Sequence, residues 1–322
     1  MNAFRNCLSK YLLIWLSIVC LFAFFWGDLF GAKTRDPFLI PTIAMQSLIA
    51  ITMLAIGSLL PLDEVRNVGK RWPLVLWGTF IQYLSMPLLA WFVATLFHLE
   101  GPYFIGVILV GSVPGAMASN MLTMISRGNI SFSVGLTTSA TLLSPLIVPS
   151  VLLFLVGTKV SLDFGSIATT LLLTVVCPVV IGFTLSRIFK FWQWCANQIA
   201  EIIANIAIIW IIASVVAQNR TLFEHLPLFL FFALLLLNIL GYSAGWFGGW
   251  TVGMDARMRR ALLLEVGMQN AGLGTFLARR YFPDDPECAL CCAMYTFGCM
   301  FTGIIVARIF RAIPLKEKDQ SV

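Results

Sequence analysis

Glu265, Gln269 and Asn270 stand together in LLLEVGMQNAGLG, residues 262–274, inside an otherwise apolar run. A carboxylate and two carboxamides beside three glycines offer hard oxygen donors next to a backbone that unwinds easily. Such a set suits a hard cation such as sodium. A second stretch, GSVPGAMASNMLTMISRG, places Ser119 and Asn120 just after Pro114 and Gly115. Proline removes a backbone donor and clashes with the preceding turn, and an adjacent glycine loosens the chain. A helix break is therefore expected at Pro114 and Gly115. Gly267, with Gly272 and Gly274, predicts another beside Glu265. Each break frees carbonyls suited to a cation and half-helix N-termini suited to an anion.

The elements that carry these residues must cross a membrane. The chain is 59% hydrophobic and 11% charged, against about 25% charged in soluble domains. Apolar runs predict spans near 10–28, 38–60, 72–97, 102–126, 130–157, 164–187, 193–217, 226–250, 257–282 and 287–312. The first run is too long for a signal peptide and lacks a small-x-small cleavage site, so a retained helix is expected. Of the 21 basic residues, six (Lys33, Arg35, Lys159, Arg220, Arg279 and Arg280) fall on one side of the alternating spans. The others, among them Arg5, Lys10, Arg66, Lys70, Arg71, Arg127, Lys316 and Lys318, fall on the other. The positive-inside rule puts both termini in the cytoplasm.

The two polar pairs, Ser119-Asn120 and Gln269-Asn270, lie 150 residues apart in a chain of 322. They fall on the fourth and ninth predicted spans, and a basic residue follows each. An odd number of spans separates them, so the second copy is inverted relative to the first. Matched, interrupted spans in two inverted halves point to the binding site of a secondary transporter. The halves are residues 1–157 and 158–322.

Only Glu201 and Glu265 among the acidic residues lie appreciably inside spans and not in tails, loops or span ends, and Glu201 is near an interface. A mid-membrane carboxylate costs about 2.5–3.5 kcal/mol on insertion scales. It persists protonated, paired with a cation or facing water, and no Lys or Arg lies mid-span beside Glu265. A metal ion is the simplest counter-charge, and a proton comes next. Ser133 and Thr137 share a face of the fifth span, as helix glue or as ligands. Gln82 in the third span is open to the same two readings. Cys288, Cys291, Cys292 and Cys299 lack acidic or His partners at ligand spacing and read as small packing residues. No Ser-His pair, paired Asp or HExxH pattern supports an enzyme. The modest +6 charge serves orientation, and nucleic acid is not expected as a partner.

The runs PGAMASNMLT, SFSVGLTTSATLLSP and EVGMQNAGLG resemble the bile acid:sodium symporter family. DEVRNVGKRWPLVLWGTFIQYLSMPLLAW is similar to that family's entry into its third helix. The resemblance covers essentially the whole chain. It implies an all-α integral membrane protein of ten transmembrane helices in two inverted five-helix repeats. Broken helices 4 and 9 would cross in a core domain that a panel domain moves against. It further implies one sodium site at Ser119, Asn120, Ser133, Thr137 and Glu265. A second would use Gln82, Glu265 and Gln269 with backbone carbonyls near Val266 and Met268. A small organic anion would lie by Asn270 and the backbone of Ala116, Met117 and Ala118. Many relatives carry glycine and then threonine where this chain has Ala116 and Met117, so the substrate does not carry over. The expectation is sodium-coupled symport of a bile-acid-like or smaller carboxylate in a plasma (bacterial inner) membrane. The alternative is a proton-coupled or uncoupled exporter of the same architecture. Neither needs a resident cofactor or an obligatory protein partner.

Overall fold

The computed structural model describes residues 8, 11–31, 34–60, 72–157, 162–221 and 228–315. Arg5, Lys10, Lys33, Arg66, Lys70, Arg71, Lys159, Lys316 and Lys318, used above for orientation, lie outside the described residues. Helix α1 is Leu12–Phe24, followed by the short α2, Trp26–Phe30. Then come α3, Thr42–Leu59; α4, Trp72–Leu96; α5, Gly101–Ser112; and α6, Ala118–Ile125. Next are α7, Ile130–Leu155; α8, Phe164–Ile188; and α9, Lys190–Gln218. The chain closes with α10, Leu228–Trp250; α11, Ala256–Gly267; α12, Ala271–Tyr281; and α13, Pro286–Ala312.

Local chemistry sets many of these ends. The side chains of Asn129, Asp163, Asp255 and Asn270 accept from backbone N–H groups in the first turns of α7, α8, α11 and α12. Such caps satisfy donors that have no intrahelical partner. Within α8, a π turn at Leu172–Val176 precedes Pro178. The widened turn accommodates a ring that would otherwise strike the carbonyl four residues back.

Among the described residues, seven helices are long and apolar enough to cross a membrane: α3, α4, α7, α8, α9, α10 and α13. This is an all-helical, multi-pass integral membrane protein. The expected first, fourth and ninth spans are not continuous helices. The first leaves helical geometry at Phe25 without a proline or glycine there. The fourth is divided into α5 and α6, and the ninth into α11 and α12.

Packing sorts the helices into two groups. α3 packs chiefly on the second half of α8 and on α9, and α9 also packs on α1. In the other group α10 packs on α11 and α4, while α13 packs on α5 and α12. The α3–α8 contact is backbone to backbone. A Cβ on Gly57 would lie 2.1 Å from Val179 O, and one on Gly182 would lie 2.2 Å from Leu54 O. Small residues at such crossings let transmembrane helices approach closely.

The two groups also meet at the C-terminal end of α12. The Tyr281 hydroxyl lies 2.7 Å from Thr170 Oγ1 and 3.2 Å from Ser166 Oγ. Arg279 donates to Ile40 O and Arg280 to Gln46 Oε1, each at 3.4 Å. The cysteines expected to pack do so: the thiols of Cys288, Cys291 and Cys292 face the carbonyls of Pro102, Tyr103 and Gly106 on α5.

Candidate cation and substrate site

Two broken helices bring their gaps together. The segment between α5 and α6 runs antiparallel to the segment between α11 and α12, pairing Gly115 with Gln269. Ala116 N donates to Met268 O at 2.7 Å, and Asn270 N donates to Pro114 O at 2.8 Å. Unpaired backbone groups are costly away from water, and each gap supplies partners for the other. Pro114 and Gly115 lie within the first gap as expected. Gly267 is the last residue of α11, whereas Gly272 and Gly274 sit inside α12 and do not break it. The role of Gly274 is packing: a Cβ there would lie 3.0 Å from Cys292 Sγ.

Glu265 is fully buried, one turn before the second gap. Its Oε2 accepts from Ser119 Oγ on α6 at 2.5 Å and from Thr137 Oγ1 on α7 at 2.8 Å. Three helices thus converge on one carboxylate oxygen. Its other oxygen, Oε1, is buried without a hydrogen-bond partner. No Lys, Arg or His among the described residues forms an ion pair with it. The Thr137 hydroxyl also reaches Ser133 O at 3.1 Å. Ser133 itself is buried and accepts from Thr123 Oγ1 at 3.3 Å.

The remaining expected ion ligands have enclosed oxygens to spare. Asn120 Oδ1 and Gln269 Oε1 have no partner, and neither atom of the Gln82 amide has one. Gln269 Nε2 donates to Val266 O at 2.7 Å. Gln82 sits on α4 and makes no hydrogen bond to Glu265 or Gln269. A buried carboxylate with several unpaired neutral oxygens has the donor set of a hard-cation site. Orphaned buried acceptors in a native fold call for such an explanation.

The residues expected on the substrate side differ in exposure. Ala116, Met117, Ala118 and Asn270 are half-buried, as is the expected ion ligand Asn120, whereas Gln82, Ser119, Ser133, Thr137, Glu265, Val266, Met268 and Gln269 are buried. The joint therefore has an accessible face and an enclosed one. Asn270 Oδ1 caps α12 through Leu273 N at 3.2 Å.

Some residues that hold the broken helices carried no sequence signal. Asn238 and Tyr295 both donate to Gly267 O, yet each stands in a long apolar span with no motif around it. Arg260, one of the basic residues on the expected cytoplasmic side, is 2% exposed. It donates to Ser126 O, the C-cap of α6, at 2.7 Å and to Ile313 O at 2.9 Å. A cation at that helix end also complements the helix dipole. Arg260→Ala is expected to cost about 2–4 kcal/mol by leaving two carbonyls without their charged donor. The measurement is thermal unfolding in detergent. An unchanged midpoint would rule out this role.

Sequence comparison matches residues 46–226 to the Sodium Bile acid symporter family. An uncharacterized sodium-dependent transporter of Bacillus subtilis is 32% identical over 260 residues, covering 80% of each chain. A probable chloroplastic sodium/metabolite cotransporter of Arabidopsis thaliana is 30% identical over 95% of this chain and 74% of its own. The sodium/bile acid cotransporter 4 of Mus musculus is 23% identical over 72% of this chain and 55% of its own.

Proposed function

The chain belongs to the sodium bile acid symporter family, and from that premise we propose that it couples sodium entry to the movement of a small organic anion. It is a transporter and not an enzyme. The observation that carries the reading is Glu265: a fully buried carboxylate, bonded by Ser119 and Thr137, at the joint of two broken helices. Sodium ions are the coupling ions, and no resident cofactor takes part.

Charge explains the cargo. Glu265 contributes −1, and two sodium ions leave an excess of +1. One site uses Ser119, Asn120, Ser133, Thr137 and Glu265. The other uses Gln82, Glu265, Gln269 and the carbonyls of Val266 and Met268. A monovalent carboxylate or sulfonate at the accessible face, beside Ala116, Met117, Ala118 and Asn270, cancels that excess. The N-termini of α6 and α12 favour negative charge there. A neutral, fully loaded site crosses a low-dielectric barrier more readily than a partly loaded one, and that difference couples the two fluxes.

The architecture we propose is ten spans in two inverted halves, residues 1–157 and 158–322. The broken fourth and ninth spans are α5–α6 and α11–α12. The group containing α1, α3, α8 and α9 acts as the panel, and the remainder acts as the core. Alternating access then requires release of the Tyr281–Thr170 contact, since it joins the two groups. Both termini face the cytoplasm of a bacterial inner membrane, and one chain suffices without a protein partner.

The test is uptake by purified protein in liposomes, screened across organic anions. An inward sodium gradient should drive accumulation of at least one anion, and a potassium gradient should not. Accumulation driven by a pH step alone, at fixed sodium, would favour the proton-coupled exporter instead.

A further inference from the structure

Three successive carbonyls leave the end of α11 in different directions, and each is held. Val266 O accepts from Gln269 Nε2 at 2.7 Å, and Met268 O accepts from Ala116 N at 2.7 Å. Gly267 O, between them, takes two donors from two other helices. Asn238 Nδ2 on α10 lies at 2.7 Å and the Tyr295 hydroxyl on α13 at 2.8 Å. A second layer fixes the first. Thr302 Oγ1 donates to Asn238 Oδ1 at 2.6 Å, and the Tyr242 hydroxyl lies 3.1 Å from Thr302 Oγ1. Asn238 and Tyr295 are 2% and 1% exposed. The turn also rests on an aromatic ring: a Cβ on Gly267 would lie 2.1 Å from Tyr242 Cδ1.

One partner is enough to satisfy a buried carbonyl. Two donors from separate helices do something more: they fix the direction of the C=O bond. The peptide is planar, so fixing Gly267 O also orients Met268 N, and the peptides on either side have little freedom left. Val266 and Met268 flank this carbonyl, and Glu265 precedes it by two residues.

We infer that Asn238, Tyr295 and Thr302 are positioning residues for the cation site: they pull the Gly267 carbonyl away and so set the carbonyls of Val266 and Met268 for sodium. This rests on the proposed sodium coupling. None of the three is among the proposed ligands, and they act through Gly267. Groups that orient ligands from behind in this way commonly change metal affinity by about 10- to 100-fold when removed.

The experiment titrates sodium chloride against potassium chloride at constant ionic strength and follows the melting temperature of the purified full-length protein. Sodium, but not potassium, should raise the wild-type melting temperature. Tyr295→Phe and Thr302→Val should raise the sodium midpoint about 10-fold, and Thr302→Ser, which keeps the hydroxyl, should restore it. Thr302→Val leaves the Tyr295 bond in place, so it carries the test if Tyr295→Phe fails to fold. A merely structural role would lower the melting temperature in potassium and leave the sodium midpoint where it was. If both variants keep the wild-type midpoint while Glu265→Gln loses the sodium response, the positioning role is overturned and sodium binding stands. If the wild type itself shows no sodium response, both fall.

Discussion

Glu265→Gln should fold, melt in potassium at or above the wild-type temperature, and show no sodium-driven uptake. The amide keeps the volume of the side chain and can still accept from Ser119 and Thr137, which bond the carboxylate at 2.5 and 2.8 Å. What disappears is one negative charge in a fully buried position. Without sodium that charge is a burden of about 2.5–3.5 kcal/mol on insertion scales, and removing it relieves the empty protein. With sodium it is the only formal charge among the proposed ligands. Gathering two cations with neutral oxygens alone leaves them desolvated and unpaired, which is strongly unfavourable. Uptake should fall by at least about 100-fold, the upper range for loss of a group that tunes a metal site. Glu265→Asp keeps the charge but withdraws it by one methylene, so weakened sodium activation with residual transport is expected. The decisive assay is initial-rate uptake under a fixed sodium gradient. Glu265→Gln working within a few-fold of wild type would end the coupling scheme.

Much of this site could be read from the residues because its elements break rules that apolar spans otherwise keep. Pro114 and Gly115 interrupt a helix, and a carboxylate stands beside two amides where lipid should be. Such departures are visible without a fold. The antiparallel pairing of Gly115 with Gln269 was not legible as a contact, although the inverted match placed both breaks in corresponding spans. The support behind the site left no pattern at all. Asn238 and Tyr295 reach Gly267 O from two helices, with Thr302 behind Asn238. Tyr295 and Thr302 share a helix, but no spacing rule ties either to Asn238, 57 and 64 residues away. Arg260 was legible only as a charge. It lies in ARMRRALLLEVG, where nothing in the basic cluster tells which of the three arginines turns inward to two carbonyls. Gly272 and Gly274 depart from expectation. Glycine near a break suggests unwinding, but α12 has already begun at Ala271, and close packing against Cys292 accounts for Gly274.

Gly115→Ala should be nearly as damaging as loss of the charge, for a purely steric reason. Its backbone φ does not lie in the left-handed region, so the chain at 115 accepts alanine without strain. The space does not. A Cβ there would lie 2.1 Å from Glu265 Oε1 and 2.6 Å from its Cδ, well inside any contact distance. Either the carboxylate swings away, giving up its bonds to Ser119 and Thr137, or the two gaps separate and the Ala116–Met268 hydrogen bond breaks. Overpacking of this kind costs about 1–3 kcal/mol, which the fold should survive. The site should not, since either escape removes oxygens from the cation. Sodium-driven uptake is expected to drop about 100-fold, with a loss of only a few degrees in melting temperature. Gly272→Ala is the matched control: its Cβ meets only Asn270 Oδ1 at 3.7 Å, an ordinary contact, so its sodium midpoint should stay at the wild-type value. The cause can be isolated by a double-mutant cycle. Glu265→Asp retracts the carboxylate from Gly115, so Gly115→Ala should cost less in that background than in the wild type, a coupling expected only for groups in contact. Strictly additive losses would mean that the alanine acts somewhere other than on Glu265.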